Sequence, residues 1–266
     1  RRIFIGYDEP LNTQEGDIWL DLNPPRKILA DWRMLETSGE NVIDYSGNGY
    51  HGTIIGNVER VSPINEGSLS ALKGDGETGY IQTPFNAIAG LDNFEVVAYV
   101  TINGLRPNAI NYTDGWNGIV NHYRTPGSPS DPEYNSIGYH VSYHEWLDSN
   151  KPNERQGRGF TARIFAIDGE TITDSGANFY SNIYAEFGVP YKLTLDFDGK
   201  IGIATFKVEK VLSNGQLEHV WYGSSLVSGV MQFGTNPLNL MATNTDAVNE
   251  HGNVTLGRVT ISTKMR

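Results

Sequence analysis

Tyr191-Lys192-Leu193-Thr194-Leu195-Asp196-Phe197 alternates apolar and polar residues at every step, and Asp198-Gly199-Lys200 turns it into Ile201-Gly202-Ile203-Ala204-Thr205-Phe206-Lys207-Val208-Glu209. A period of two belongs to a strand with one face buried. Tyr191, Leu193, Leu195 and Phe197 fall on one side of the first run. In the second, Ala204, Phe206 and Val208 oppose Ile201, Ile203, Thr205 and Lys207. Asp-Gly between two such runs predicts a β-hairpin turning at Asp198-Gly199.

The same punctuation recurs outward from this hairpin. Phe94 to Ile102 stops at Asn103-Gly104, Gly159 to Ile167 stops at Asp168-Gly169, and Asn253 to Ile261 alternates near the end of the chain. Tyr123 to Pro152, rich in Pro, Ser, Asn and Asp, reads as long loops around one central strand. Helical pattern is scarce. Ile28 to Glu36 reads as two helical turns or as a strand, and Pro84 to Gly90 as one turn. No repeat of solenoid length is visible. Half-buried strands cover one another only as stacked sheets, so the expected fold is all-β, an antiparallel two-sheet jelly-roll sandwich.

Composition removes several function classes. The 266 residues carry 20 Lys and Arg against 31 Asp and Glu, a net charge of −11. Without a Lys/Arg-rich run there is no footprint for nucleic acid, whose phosphates demand clustered cations. No apolar stretch approaches the roughly 18 residues of a spanning helix, so no membrane insertion is expected. Zero cysteines exclude a disulfide framework, a thiolate nucleophile and a Cys-type zinc site. The opening Arg1-Arg2-Ile3, without methionine, reads as a processed product or an excised piece. Residues 1–27, with the short apolar run Ile18-Trp19-Leu20 and the breaker Pro24-Pro25, read as an N-terminal appendage or linker, and 28–266 as the jelly-roll domain.

Asp44-Tyr45-Ser46-Gly47-Asn48-Gly49-Tyr50-His51-Gly52 resembles the opening turn of concanavalin A-like and laminin-G-like jelly rolls. Ser70 to Gln82 resembles the second strand of that family, Phe94 to Ile102 the buried strand after it, Pro190 to Val208 its hairpin and Gly252 to Ile261 its closing strand. The chain departs from the family at Gly74, where an aromatic is usual, leaving a hole to be filled from elsewhere. The resemblance implies a fold shared by lectins, carbohydrate-binding modules and inert spacers. Because such folds often hold calcium, Asp44 and Asn48 are candidate calcium ligands, set against a purely structural turn. Pro10 to Asp21 separately resembles a segment that recurs in phage tail, fibre and baseplate-associated proteins.

The other candidate residues bind rather than react. Tyr139-His140-Val141-Ser142-Tyr143-His144-Glu145-Trp146 places His140, Ser142 and His144 on one strand face and Tyr139, Val141 and Tyr143 on the other. As strand neighbours, His140 and His144 lie about 13 Å apart, too far to share a metal. His140, Tyr143, His144 and Trp146 therefore read as a sugar-binding surface or as an ordinary sheet strand. Asp114, Trp116 and Asn117 combine an apolar plate with carboxylate and amide partners, the mixture that sugars require, unless Trp116 tucks beneath the sandwich. Trp221-Tyr222 reads the same way. The Glu-x-Asp-x-x-Glu string of glycosidases with this fold is absent, as are the nucleophile-elbow, P-loop and zincin motifs.

The resulting expectation is a non-catalytic module at an extracellular or virion surface, recognising host cell-surface glycans within a phage tail among neighbouring virion subunits. Copies of the same chain are a further potential partner. The alternatives are a structural tail or fibre subunit and a polysaccharide-degrading enzyme of the same fold.

Overall fold

The computed structural model describes residues 3–6, 18–21, 26–85, 93–107, 109–110, 115–124, 137–148, 151–167, 176–228, 230–231, 237–243 and 250–264. Its strands are β1 (Ile3–Gly6), β2 (Ile18–Asp21), β3 (Arg26–Trp32), β4 (Asn41–Val42), β5 (Gly52–Ile55), β6 (Val58–Val61) and β7 (Ala71–Gly74). There follow β8 (Tyr80–Thr83), β9 (Asn93–Ile102), β10 (Trp116–Arg124), β11 (Ile137–Asp148), β12 (Lys151–Ile167) and β13 (Ala177–Tyr180). The last are β14 (Pro190–Asp198), β15 (Ile203–Val211), β16 (Leu217–Leu226), β17 (Val230–Met231), β18 (Leu238–Leu240) and β19 (Val254–Lys264). No helix occurs among the described residues.

Two antiparallel sheets form a jelly-roll sandwich. The first runs β13-β12-β11-β10-β18-β8-β5-β4, with β17 beside the end of β12. The second runs β16-β15-β14-β9-β19-β7-β6, with β3 beside β19. β1 and β2 form a separate parallel pair in the register Ile3 to Ile18.

Alternation in the strands produces the core. In β14 burial switches at every residue, and Tyr191, Leu193, Leu195 and Phe197 point inward beside Ala204, Phe206 and Val208 of β15. Tyr139, Val141 and Tyr143 of β11 and Phe160, Ala162 and Ile164 of β12 face them from the first sheet. Rings interdigitate across the gap: Phe94 lies 5.1 Å from Tyr139, and Phe160 lies 4.8 Å from Tyr191. Each fully buried large apolar side chain contributes about 1.5–3 kcal/mol.

Several local expectations change. The hairpin turn occupies Gly199–Gly202 between β14 and β15, longer than an Asp198-Gly199 turn. Gly202 supplies the positive φ of 65° that this longer turn requires, and Asp198 accepts a hydrogen bond from Lys200 N at 3.1 Å. Ile28 to Glu36 begins as strand, since β3 extends β19 with Trp32 opposite Val259. Of Pro84 to Gly90, residues 86–90 lie outside the described residues.

The stretch Ser70 to Gln82 is not one strand. It breaks at Asp75, leaving β7 in the second sheet and β8 in the first. Asp75 Oδ1 accepts hydrogen bonds from the N–H groups of Glu77, Thr78 and Gly79, which fixes the crossover and holds that carboxyl well below its ordinary range despite partial burial. The space beside Gly74 is filled by Met241, whose Cε would lie 2.7 Å from a Cβ there.

Candidate functional site

The opening turn is built by Asp44. Its Oδ1 accepts from Asp31 N and Ser46 N, each at 2.9 Å, and its Oδ2 from Ser46 Oγ at 2.8 Å and Tyr50 N at 3.0 Å. Burial raises the carboxyl's pKa, but these donors outweigh it and leave the group below its usual range. Asn48 donates its amide to the Leu29 carbonyl at 2.9 Å. Calcium takes about six to eight oxygens, whereas here one carboxylate already serves four protein donors. The residues therefore do not fit a calcium ion; the turn fastens the chain to β3. Among the described residues no three His, Cys, Asp or Glu side chains gather as a metal site.

The outer face of the first sheet carries a different kind of surface. Because Tyr139, Val141 and Tyr143 point into the core, His140, Ser142 and His144 point away from the second sheet. Cross-strand pairing then extends a row on both sides of His140. Asn41 pairs with Thr53, Thr53 with Gln82, Gln82 with Asn239, Asn239 with Asn121, Asn121 with His140, His140 with Arg163, and Arg163 with Asn178. Eight strands thus contribute eight hydrogen-bonding side chains and no apolar one. Its centre, Asn239, Asn121 and His140, is buried. The row reaches solvent at half-buried Arg163 and exposed Asn178, and again at Thr53 and Asn41.

The buried centre has specific properties. Asn121 Nδ2 donates to the Ala242 carbonyl, while its Oδ1 has no partner among the described residues. Burial first, and the charge of Arg163 second, depress the His140 pKa to about 3, so its imidazole is neutral at pH 7. Its Nδ1 lies 3.1 Å from Ser142 Oγ. The backbone at Ala242 presses on Gly118, where a Cβ would come within 2.2 Å of the Ala242 carbonyl carbon.

Beside this row lies a stack of rings. Trp116 packs flat on His144, with centroids 3.9 Å apart and planes 11° apart, and His144 contacts Trp146 at 4.9 Å. Trp116 is 9 % exposed, so it is largely covered and spends one face on His144, while Trp146 is half-buried. Next to the open end of the row, Arg163 lies over Phe165 at 4.9 Å and Arg158 over Tyr180 at 4.2 Å.

Other expected sugar contacts have internal work. Asn117 belongs to the opposite face, where its Oδ1 accepts from Asn253 N at 2.9 Å and its amide donates to Gly115 O. Tyr143 is fully buried between the sheets, so its ring has no exposed face on which a sugar could stack. Its hydroxyl donates to Glu145 and accepts from Ala185 N at 3.1 Å, and burial first, with the Glu145 carboxylate second, pushes its pKa far up. Asp114 lies outside the described residues. Trp221 is wedged between Phe179 and Phe206, while Tyr222 is 54 % exposed on β16.

His140, His144, Trp116 and Trp146 are thus brought onto one face. Asn41, Thr53, Gln82, Asn121, Arg163, Asn178 and Asn239 join them without having been anticipated. Strand alternation marks each as an outward position, but only the order of the strands lines them up.

No protein-family model matches the chain, and no curated protein matches it in sequence. Solved structures do match it. Peanut lectin is 10 % identical over 89 % of this chain and 97 % of its own, at a TM-score of 0.43. The winged bean acidic lectin is 12 % identical over 91 % and 100 %, at 0.39. The enzymatically active domain of tailspike protein 2 of bacteriophage CBA120 is 14 % identical over 79 % of this chain and 28 % of that one, at 0.48. These neighbours are legume lectins and a phage tailspike domain, and the two-sheet antiparallel sandwich itself is given by this chain's own strand order.

Proposed function

We propose that the chain is a non-catalytic glycan-binding module of an extracellular or virion surface, and that it takes its ligand on the outer face of the first sheet where the polar row opens at β12 and β13. The observation that supports this reading is the row itself. Eight consecutive strands present amide, hydroxyl, imidazole and guanidinium groups, with the rings of Phe165 and Tyr180 beside the open end. Sugar hydroxyls need planar donor-acceptor groups, and the C–H faces of sugars need aromatic plates. Glycoside cleavage needs two carboxylates, and among the described residues the row contains none. A role in phage attachment to host cells belongs to the same proposal.

A glycan array probed with the full chain tests the reading, with Tyr180→Ala and Asn178→Ala as comparison proteins. Binding to a defined set of glycans that weakens at least about tenfold in each variant supports it. Absence of binding to any glycan overturns it.

One observation favours a structural subunit as the second reading. β16 ends the second sheet as a ten-residue edge strand whose Tyr222 and Leu226 are 54 % and 74 % exposed. Such an edge is suited to contact with another protein. A concentration-independent oligomer without a glycan response would favour that reading.

A further inference from the structure

Charge is arranged differently on the two sheets. On the second, several cations pair with carboxylates. Arg26 reaches Glu95 at 3.1 Å and Asp196 at 2.9 Å, Lys264 reaches Asp196 at 3.2 Å, Arg258 reaches Asp31 at 2.8 Å, and Lys207 reaches Glu209 at 2.7 Å. At the first sheet's rim, Arg155 is bound to Glu145. Arg163 has no carboxylate partner among the described residues. Its Nε donates to Asn178 Oδ1, and its guanidinium rests on the Phe165 ring.

That arrangement fixes the plane of Arg163 and leaves its two terminal nitrogens for another acceptor. A guanidinium has five donors in a rigid fork, matched to the two oxygens of a carboxylate. Its own row runs from Asn41 to Asn178; on one side lie Gly118, Ser142, Thr161 and Tyr180, then Trp116, His144 and Gly159, and on the other lie Tyr123, Gly138 and Phe165. They bring no acidic side chain to compete. In a chain whose net charge is −11, an arginine held in place with no acid beside it among the described residues is a local exception to an acidic background. An anionic ligand would gain from its attraction at short range, while the rest of the surface repels acidic molecules that do not fit.

We propose that Arg163 anchors the carboxylate of an acidic sugar unit, so that the ligand of this face is a uronic-acid-type polysaccharide rather than a neutral one. This rests on the glycan-binding reading of the same face and adds the chemical class to it. The ring of Phe165 fixes the guanidinium from one side, Asn178 fixes it at Nε, and the acid is received at the terminal nitrogens.

The test uses the full chain and three kinds of probe: an oligogalacturonate, the same oligomer with its carboxyl groups reduced to alcohols, and a sulfated oligosaccharide. Titration calorimetry is run at low and at physiological salt. The acid should bind about 10- to 100-fold more tightly than its reduced form, the equivalent of a charge-assisted hydrogen-bond pair, and more tightly than the sulfate. Arg163→Gln should remove that preference, bringing the affinity for the acid down to that for its reduced form. Arg163→Lys should keep only a part of it, because an ammonium is a point charge and not a fork. Melting curves of both variants that match the wild type confirm that they are folded. Equal affinity for acid and reduced oligomers, tighter binding of the sulfate, or an undiminished preference in Arg163→Gln, overturns the assignment. If neutral glycans bind without preference, the anchor falls and the glycan reading stands; if no glycan binds at all, both fall.

Discussion

Tyr139 shows how much one atom can weigh inside this sandwich. Its ring packs against Phe94, but its hydroxyl is buried with no partner among the described residues, and burial pushes its pKa far up. Leaving a polar group without a partner is costly, so Tyr139→Phe is expected to raise stability by up to about 1 kcal/mol. Urea unfolding would measure it, and a loss of stability would mean that the hydroxyl is bonded after all. Asp44 is the opposite case, since one carboxylate there satisfies four donors. Asp44→Ala strands the N–H groups of Asp31 and Tyr50 together, and should cost about 2–3 kcal/mol in the same measurement. A cost below about 0.5 kcal/mol would show that the turn holds without its carboxylate.

At the scale of elements, a polar staple joins β11 and β12 to the segment before β14. Arg155 binds Glu145 and donates to the Ala185 carbonyl at 3.0 Å, while its guanidinium lies over Tyr184 and Phe187. Arg155→Ala would leave the fully buried Glu145 without its cation. Arg155 itself is 38 % exposed, so we expect a loss of about 2–3 kcal/mol, below that for a pair buried on both sides. Faster hydrogen exchange at residues 181–189 should accompany it, and unchanged exchange there would refute the staple. Gly118→Ala should disturb the adjoining crossing, because its new Cβ would meet the Ala242 backbone. These elements mark how far the chain could be read unaided. The β14 and β15 hairpin, β9 and β19 were legible because each alternates with one apolar face. The division of Ser70 to Gln82 between sheets was not, since Asp75 makes its turn through backbone bonds that leave no periodicity. The polar row was hidden for a different reason. Asn121, Asn239 and Arg163 lie far apart in sequence, and each alone is an ordinary outward-facing residue. That Trp116 and His144 stack on each other depends on the register of β10 against β11, which neither segment carries by itself.

For the whole molecule the buried histidines set the response to acid. His140 has its folded pKa lowered to about 3 and that of His251 is lowered as well, both chiefly by burial. An unfolded histidine takes up a proton near pH 6.5, so below that value the unfolded state binds more protons and stability falls. Asp44 and Asp75, with lowered values, add to the loss as pH drops through the carboxylate range. Glu95 and Glu250, raised by burial, act in the opposite sense, because the fold accepts their protons first. The melting midpoint should therefore be level between about pH 7 and pH 9 and decline from about pH 6.5 downward, with a shallower decline in His140→Asn. An equal decline in that variant would remove His140 from the account. The sandwich also joins its own ends. β3 and β19 are neighbours, and Arg26 is the register partner of Lys264. Across an antiparallel ladder such partners stand about 5 Å apart, so a bridge of a few residues between Arg26 and Lys264 could close residues 26–264 into a ring. Cutting that ring at the exposed Asn214-Gly215 turn would give a rearranged gene product with the same sandwich, and would let another protein carry the domain as an insert at almost a single point on its surface.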